Sequence, residues 1–279
     1  MEKIGVAICH PTIPYNESFF RDISEAGIHV IEITRYAEDY AGLDYKAISA
    51  YAKKYGVGLW SYHLPFYPAS MVNITSKDPS VRQRSLEYYT DIIGKAADVG
   101  IDKFVVHPIN EFIRAEDTNE HIERSRESLC RIADIAEKHG ATIAVENLIA
   151  GLLGKDIAEM ERLLDADDRL RICFDTNHLF GEPHTAFIER FGKRIITIHA
   201  SDYDFKCEKH WLPGEGDIDW VELKRALDKA GYTGPFMYEA SPVAPDTILR
   251  ERPLEYKDYV ENARSIFAEI APKPFGRRK

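Results

Sequence analysis

The chain has 279 residues, with 36 Lys and Arg against 46 Asp and Glu, so its formal net charge is −10. Its length allows one large barrel or two small domains, and 44% hydrophobic with 29% charged residues is typical of a soluble globular enzyme. The acidic balance disfavours nucleic-acid binding, no apolar run is long enough to cross a membrane, and the N-terminus turns polar too early for a secretory signal, so we expect a cytoplasmic protein.

Strand-like and helix-like segments alternate through the first half. IGVAIC, HVIEITR and VGLWSYHLP predict strands, and NESFFRDISEAG and LDYKAISAYAKKYG between them predict helices. Another helix is predicted from about Asp78 and Pro79, because proline suits the first turn of a helix. DKFVVHP then predicts a fourth strand, and a long helix covers Thr118–His139 before Gly140.

The second half repeats this alternation with four strands, TIAVENL, RICFDTNH, IITIHASD and PFMYEAS. Helices are predicted over Lys155–Leu164, HTAFIERFG, WVELKRALDKAG and about 254–270, and we expect residues 271–279 to form a flexible tail. Eight βα units in 1–279 favour a single-domain α/β fold, the (β/α)₈ TIM barrel, over a doubly wound sheet. A glycine-rich dinucleotide fingerprint is absent after the first strand, which weakens the Rossmann alternative.

The four strands of the second half each end near a side chain that can bind a metal ion. These side chains are Glu146, Asp175, His199 and Glu239. In a parallel barrel such strand ends meet at one face, where active sites lie. Because three carboxylates and an imidazole are costly to bury together without a positive charge, the sequence predicts a divalent metal ion, with Mn²⁺ preferred and Zn²⁺, Co²⁺ or Mg²⁺ as alternatives.

Other polar residues stand at strand ends or in the loop after the seventh strand. For His10 and Glu32 we expect ordinary hydrogen-bonded or solvated side chains. His210 can ligate a second ion, bind a substrate hydroxyl or cap its loop, and Asp202 either orients His199 or is solvated. The remaining candidates are aromatic walls for a sugar and arginines for a phosphate, namely Trp60, Phe66, Trp211, Arg250 and Arg252.

The motifs VENL, FDTNH, IHASD, HWLPGEGDIDW and YEAS together resemble the xylose isomerase-like TIM-barrel superfamily. That superfamily contains sugar and sugar-phosphate isomerases and epimerases as well as endonuclease IV-type enzymes, and the resemblance spans nearly the whole chain. It implies a divalent ion held by Glu146, Asp175, His199 and Glu239. In members of the ketose 3-epimerase kind, residues matching Glu146 and Glu239 are the acid/base pair, and one matching His178 contacts substrate.

These residue types suit proton abstraction beside a carbonyl. A chelated cation stabilises the developing enediolate, while one glutamate removes the proton and the other returns it. Return to the opposite face gives epimerisation, and return to the adjacent carbon gives isomerisation; the sequence does not separate the two. The expected partner is a small-molecule sugar or sugar phosphate, and its identity, its phosphorylation and a homo-oligomeric state stay open.

Two other activities remain as alternatives. The resemblance to endonuclease IV-type enzymes implies metal-dependent phosphodiester hydrolysis, since His63, His107, His178 and His210 match histidines of a three-zinc cluster. Glu208 stands there in place of an aspartate, which puts the third ion in doubt, and the net charge disfavours DNA. A dehydratase acting on a keto-inositol shares the proton abstraction but then loses hydroxide. A non-catalytic sugar- or metal-binding module is disfavoured, because two carboxylates facing one another across a metal are a costly way merely to bind.

Overall fold

The computed structural model describes residues 2–7 and 14–279. Within them, eight parallel strands form one sheet in which strands consecutive in sequence pair, and β1 also pairs with β8. The strands are β1 (Ile4–Val6), β2 (Val30–Thr34), β3 (Gly58–His63), β4 (Lys103–Val106), β5 (Thr142–Glu146), β6 (Arg171–Asp175), β7 (Ile195–His199) and β8 (Phe236–Tyr238). Two hydrogen bonds at Ala200 join β7 to β8. Ala200 N–H donates to Met237 O at 2.7 Å, and Glu239 N–H donates to Ala200 O at 3.1 Å. The predicted single-domain TIM barrel is confirmed; His10 lies outside the described residues.

Helices cover the outside of the barrel. They are α1 (Glu17–Ala26), α2 (Tyr45–Tyr55), α3 (Pro79–Ala97), α4 (Thr118–Lys138), α5 (Ile157–Leu164), α6 (His184–Phe191), α7 (Trp220–Lys229) and α8 (Tyr256–Phe267), with 3₁₀ turns at Tyr40–Gly42, Ala115–Asp117 and Gly192–Arg194. Polar caps explain where several begin: Asn16 accepts a hydrogen bond from Phe19 N–H, and Asp78 accepts one from Ser80 N–H. None of the helices in the described ranges is long and apolar enough to cross a membrane.

Strand alternation separates two apolar regions. On β2, Ile31 and Ile33 pack outward with the large core shared by strands and helices, whereas Val30 points inward and packs with Met237. Trp60 packs against this inner cluster. It therefore lies with the apolar filling of the barrel rather than with the polar strand ends, and the suggestion that it walls a sugar pocket is not supported.

The C-terminal segment is paired, which differs from the flexible tail that we expected. Ile248–Leu249 (β9) and Arg277–Arg278 (β10) form a short antiparallel ladder. Gly276 N–H donates to Glu215 Oε1 at 2.8 Å, and Arg278 pairs with Asp217 at 2.6 Å. Partners in the distant loop between β7 and α7 hold this segment, and composition alone does not reveal them.

Candidate metal centre

Four side chains of types that can bind a metal ion converge at the C-terminal ends of consecutive strands. Glu146, Asp175 and His199 are the last residues of β5, β6 and β7, and Glu239 directly follows β8. One ligand atom of each lies within 4.8 Å of the ligand atoms of the others. Parallel pairing places these ends side by side, and this is why residues far apart in sequence meet.

Glu146 lies between two groups of histidines. Its Oε1 is 3.1 Å from His199 Nδ1, while its Oε2 is 3.0 Å from His63 Nε2 and 3.1 Å from His107 Nε2. Burial alone would raise the pKa of Glu146, but the imidazoles of His199 and His107 outweigh it and hold that pKa well below the usual range. Glu146 is therefore an ionised carboxylate that can serve ions on both of its sides.

Two carboxylate oxygens in the cluster are buried without a hydrogen-bond partner among the described residues. They are Asp175 Oδ2 and Glu239 Oε2, although His178 Nδ1 lies 3.5 Å from the first and His199 Nδ1 lies 3.2 Å from the second. Buried acceptors without donors are rare because they lose their hydration. A cation between them would satisfy both oxygens, so the donor set of three carboxylates and one imidazole fits a divalent ion.

The protonation states of this group follow from burial and mutual attraction. Burial raises the pKa of Asp175 well above its usual range, and the nearby Glu239 and Glu146 add to the rise while His178 opposes it. Burial would also raise the pKa of Glu239, but His199 and His210 lower it to about 2. Burial would lower the pKa of His199, yet Cys173 and then the surrounding carboxylates, with Glu239 first among them, raise that pKa well above its usual value. A divalent ion would take the place of these imidazolium and carboxyl protons.

A second cluster lies further out and consists of His178, Glu208 and His210. The Nδ1 atoms of His178 and His210 lie 3.0 Å from the backbone carbonyls of Asn147 and Glu239, so each Nδ1 carries a hydrogen. Their Nε2 atoms face Glu208 Oε1 at 3.4 and 2.6 Å. Against the effect of burial, Asp175 and Glu208 raise the pKa of His178 to about 10, and Glu208 with Glu239 raises that of His210 to about 9. The cluster can hold a further ion or bind substrate hydroxyls.

Asp202 organises its own loop instead of orienting His199. Its carboxylate accepts hydrogen bonds from the N–H groups of Tyr203 (2.9 Å), Gly214 (2.7 Å) and Ile218 (3.2 Å), and from Trp220 Nε1 (2.9 Å). The expected partnership with His199 fails because all four donors come from the loop between β7 and α7 and its junction with that helix. The glycine at 216 is required, since a Cβ there would overlap the Asp202 carboxylate.

Among the aromatic candidates, Phe66 lies at the site and Trp211 does not. The Phe66 ring stacks on His107, with ring centroids 4.2 Å apart and an interplanar angle of 19°. Trp211 is buried, and its Nε1–H donates to Thr247 Oγ1 at 2.9 Å. Of these candidates, Phe66 is therefore the one that lies beside the residues of the candidate metal centre.

The two arginines considered for a phosphate are engaged elsewhere. Arg250 forms a fully buried ion pair with Glu215 at 2.7 Å, and Arg252 pairs with Asp258 at 2.7 Å. Both therefore stabilise the loop after β8, and the suggestion that they hold a substrate phosphate is not supported.

Sequence reasoning missed Glu32 as a residue of this site. Glu32 on β2, for which we expected an ordinary hydrogen-bonded role, places Oε1 2.9 Å from His199 Nε2. The signal was the alternation in HVIEITR, because Glu32 is two residues after the inward-facing Val30 and shares its side of the strand.

A protein-family model described as xylose isomerase-like TIM barrel matches residues 20–264 of the chain. The chain belongs to the xylose isomerase-like TIM barrel family. The resemblance seen in the motifs is thereby confirmed, and the family includes enzymes of more than one kind.

Relatives of this chain include enzymes of two kinds. Fructoselysine 3-epimerase of Escherichia coli O157:H7 is 26% identical over 252 residues, which are 83% of this chain and 88% of that protein. A probable endonuclease 4 of Thermoplasma acidophilum is 27% identical over 191 residues, 62% of this chain and 64% of that protein. The crystal structure of a D-tagatose 3-epimerase-like protein superposes with a TM-score of 0.77 at 24% identity, covering 95% of this chain and 97% of the other, which shows the shared fold.

Proposed function

We propose that this protein is a divalent-metal-dependent isomerase or epimerase of a sugar or sugar phosphate, acting by proton transfer beside a carbonyl. The observation that carries the proposal is the pair of buried oxygens without hydrogen-bond donors, Asp175 Oδ2 and Glu239 Oε2, grouped with ligand atoms of Glu146 and His199 among the described residues. Similarity to sugar 3-epimerases supports the choice of reaction.

These four residues would hold the ion, and Mn²⁺ suits carboxylates with one imidazole. When bound, the ion supplies a Lewis acid that polarises the substrate carbonyl and offsets the negative charge that develops on its oxygen. Phe66 stacks on His107 at the edge of the cluster and offers an apolar ring face to the C–H surface of a sugar.

Glu146 and Glu239 are the proposed acid/base pair. They come from β5 and β8, which are separated by β6 and β7, so they approach a substrate between them from different sides. One ionised glutamate takes the proton from the carbon beside the carbonyl, and the other, which has taken a proton from solvent, returns that proton to the substrate. Delivery to the opposite face inverts the centre, whereas delivery to the neighbouring carbon moves the carbonyl. The pair then exchanges its proton with solvent to restore the starting state.

A second candidate is phosphodiester hydrolysis of the endonuclease IV type. Its specific support is the presence of further ligand groups beside the four-residue centre, among them His63–His107–Glu146 and His178–Glu208–His210. Glu208 reaches both of its histidines, so the change from aspartate does not remove the carboxylate from that cluster. The net charge of −10 favours a small sugar over a polyanionic duplex.

The deciding experiment is a panel of ketoses incubated in D₂O with the Mn²⁺-loaded protein. We expect solvent deuterium at the carbon beside the carbonyl, and loss of that exchange in Glu146→Gln and in Glu239→Gln. Glu127→Gln, on the exposed side of α4, is the matched control and should exchange normally. Absence of exchange with every ketose, together with metal-dependent nicking of an abasic-site duplex, would select the second candidate. A new ultraviolet absorption from a conjugated product would indicate dehydration instead.

A further inference from the structure

A buried carboxylate lies behind the candidate metal centre. Glu32 is 1% exposed and reaches His199 across the barrel interior, since β2 and β7 are not neighbours in the sheet. Its Oε1 is 2.9 Å from His199 Nε2, and its Oε2 accepts a hydrogen bond from Ser61 Oγ at 2.6 Å. Register places Ser61 directly opposite Glu32 on β3. A continuous path of contacts therefore runs from Ser61 through Glu32 to His199.

The two nitrogens of His199 face different partners. Nε2 faces Glu32, whereas Nδ1 lies 3.1 Å from Glu146 Oε1, 3.2 Å from Glu239 Oε2 and 3.9 Å from Asp175 Oδ2. A neutral imidazole carries one N–H and one lone pair. If Glu32 holds the hydrogen on Nε2, the lone pair on Nδ1 points among the three carboxylates, which is where an ion would be held.

Burying the Glu32 carboxylate in the barrel interior carries a desolvation penalty. Val30, two residues before Glu32 on the same face of β2, packs with Met237 in the apolar filling of the barrel, and an apolar side chain at position 32 would avoid the desolvation of a carboxylate. Its hydrogen-bond partners come from a strand neighbour and from a proposed metal ligand. The placement therefore favours a role toward that ligand over a purely structural one.

We propose that Glu32 is a positioning residue that fixes the Nε2–H tautomer of His199 and aims Nδ1 at the ion, with Ser61 holding Glu32 in place. This inference rests on the metal site of the proposed function but is independent of the sugar chemistry. Carboxylates that accept the second N–H of a metal-binding histidine set both ring orientation and ligand basicity.

The test is titration of the metal-free protein with Co²⁺, followed by competition with a chelator and by visible absorption, without any sugar. Glu32→Leu should bind Co²⁺ about 10–100-fold more weakly, with an altered absorption spectrum. Glu32→Gln, whose carbonyl can still accept from Nε2–H, should recover most of this loss. Ser61→Ala should lower the affinity for Co²⁺ by a smaller factor than Glu32→Leu does. The matched control Ser128→Ala, which removes a buried hydroxyl that donates to Ile74 O at 2.7 Å, should bind as the wild type.

Wild-type affinity and an unchanged spectrum in folded Glu32→Leu would overturn the inference. If that variant does not fold, Glu32→Asp decides the matter, because it keeps a buried carboxylate but withdraws it from His199; unchanged Co²⁺ affinity there would equally overturn it. Co²⁺ binding that depends on Glu32 in a protein that exchanges no ketose proton would sustain the inference while removing the proposed function.

Discussion

Replacing Asp175 by Asn should stabilise the metal-free protein and weaken its hold on metal. In the metal-free state Asp175 Oδ2 is a buried acceptor that no described residue satisfies, close to the ligand oxygens of Glu146 and Glu239. Burial raises the pKa of Asp175 and so disfavours its charged form, whereas the Asn amide is uncharged at every pH and supplies an N–H₂ group that can donate to these carboxylates. It keeps the oxygen that accepts from Asn177 N–H at 2.6 Å.

The expected sizes follow from desolvation and linkage. Relief of part of the unsatisfied-acceptor penalty is worth about 1 kcal/mol, which raises Tm by about 2–4 °C in a chain of this size class. Ion at a thousand times its Kd adds about 4 kcal/mol to the wild type. If the lost ligand weakens binding about 100-fold, the same ion concentration adds about 1.4 kcal/mol to Asp175→Asn. Thermal unfolding in EDTA and in Mn²⁺ measures both quantities.

The two curves should therefore change order, with Asp175→Asn melting above the wild type in EDTA and below it in Mn²⁺. A variant that melts lower than the wild type in EDTA, yet gains as much from Mn²⁺, would refute the assignment of Asp175 as a ligand. Asp134→Asn on the exposed side of α4 is the control and should leave the gain from Mn²⁺ unchanged.

Three further outcomes are expected. In EDTA, stability should fall as pH rises from about 6.5 toward 10, because the raised pKa values of His178 (about 10) and His210 (about 9) contribute fully below the ordinary histidine pKa and are lost as pH passes through the raised values. Glu208→Gln should flatten this decline, which pH-dependent unfolding would detect, and an identical decline would contradict it. Metal affinity should increase with pH, since the ion displaces imidazolium protons, and a chelator competition that gives one value at every pH would disprove this. Asp202→Ala should cost at least about 3 kcal/mol of unfolding free energy by leaving buried donors unpaired, and denaturant unfolding indistinguishable from the wild type would count against that role.

The strand ends could be predicted from sequence because one rule places them. Glu146, Asp175 and His199 each follow a β-branched or apolar run, and parallel pairing brings such ends to one face whatever the sequence between them. Periodicity, and Pro79 in the first turn of α3, likewise located the helices. Local chemistry determines these features, and so local sequence reveals them.

The remaining contacts depend on paths that no period describes. Glu32 and His199 are 167 residues apart on strands that are not neighbours, so alternation shows that Glu32 points inward but not what it meets. Asp202 finds its donors along an irregular loop, and Arg250 finds Glu215 instead of a ligand because two loops and the chain end fold against each other. A carboxylate or arginine near a strand end has the same sequence signature in either role.

Glu215 connects the positions of His178, Glu208 and His210 to parts of the chain that are remote in sequence. It sits in the loop that also presents Glu208 and His210, and it bonds both Arg250 and the backbone of Gly276. If β10 separates from β9, the buried carboxylate of Glu215 loses the hydrogen bond from Gly276 N–H, and the loop between β7 and α7 becomes more mobile. His210 and Glu208 would then move together. Glu146, Asp175 and His199 stand at the ends of strands and would keep their positions. Loss of the β9–β10 pairing would therefore displace Glu208 and His210 before it affects the four-residue centre.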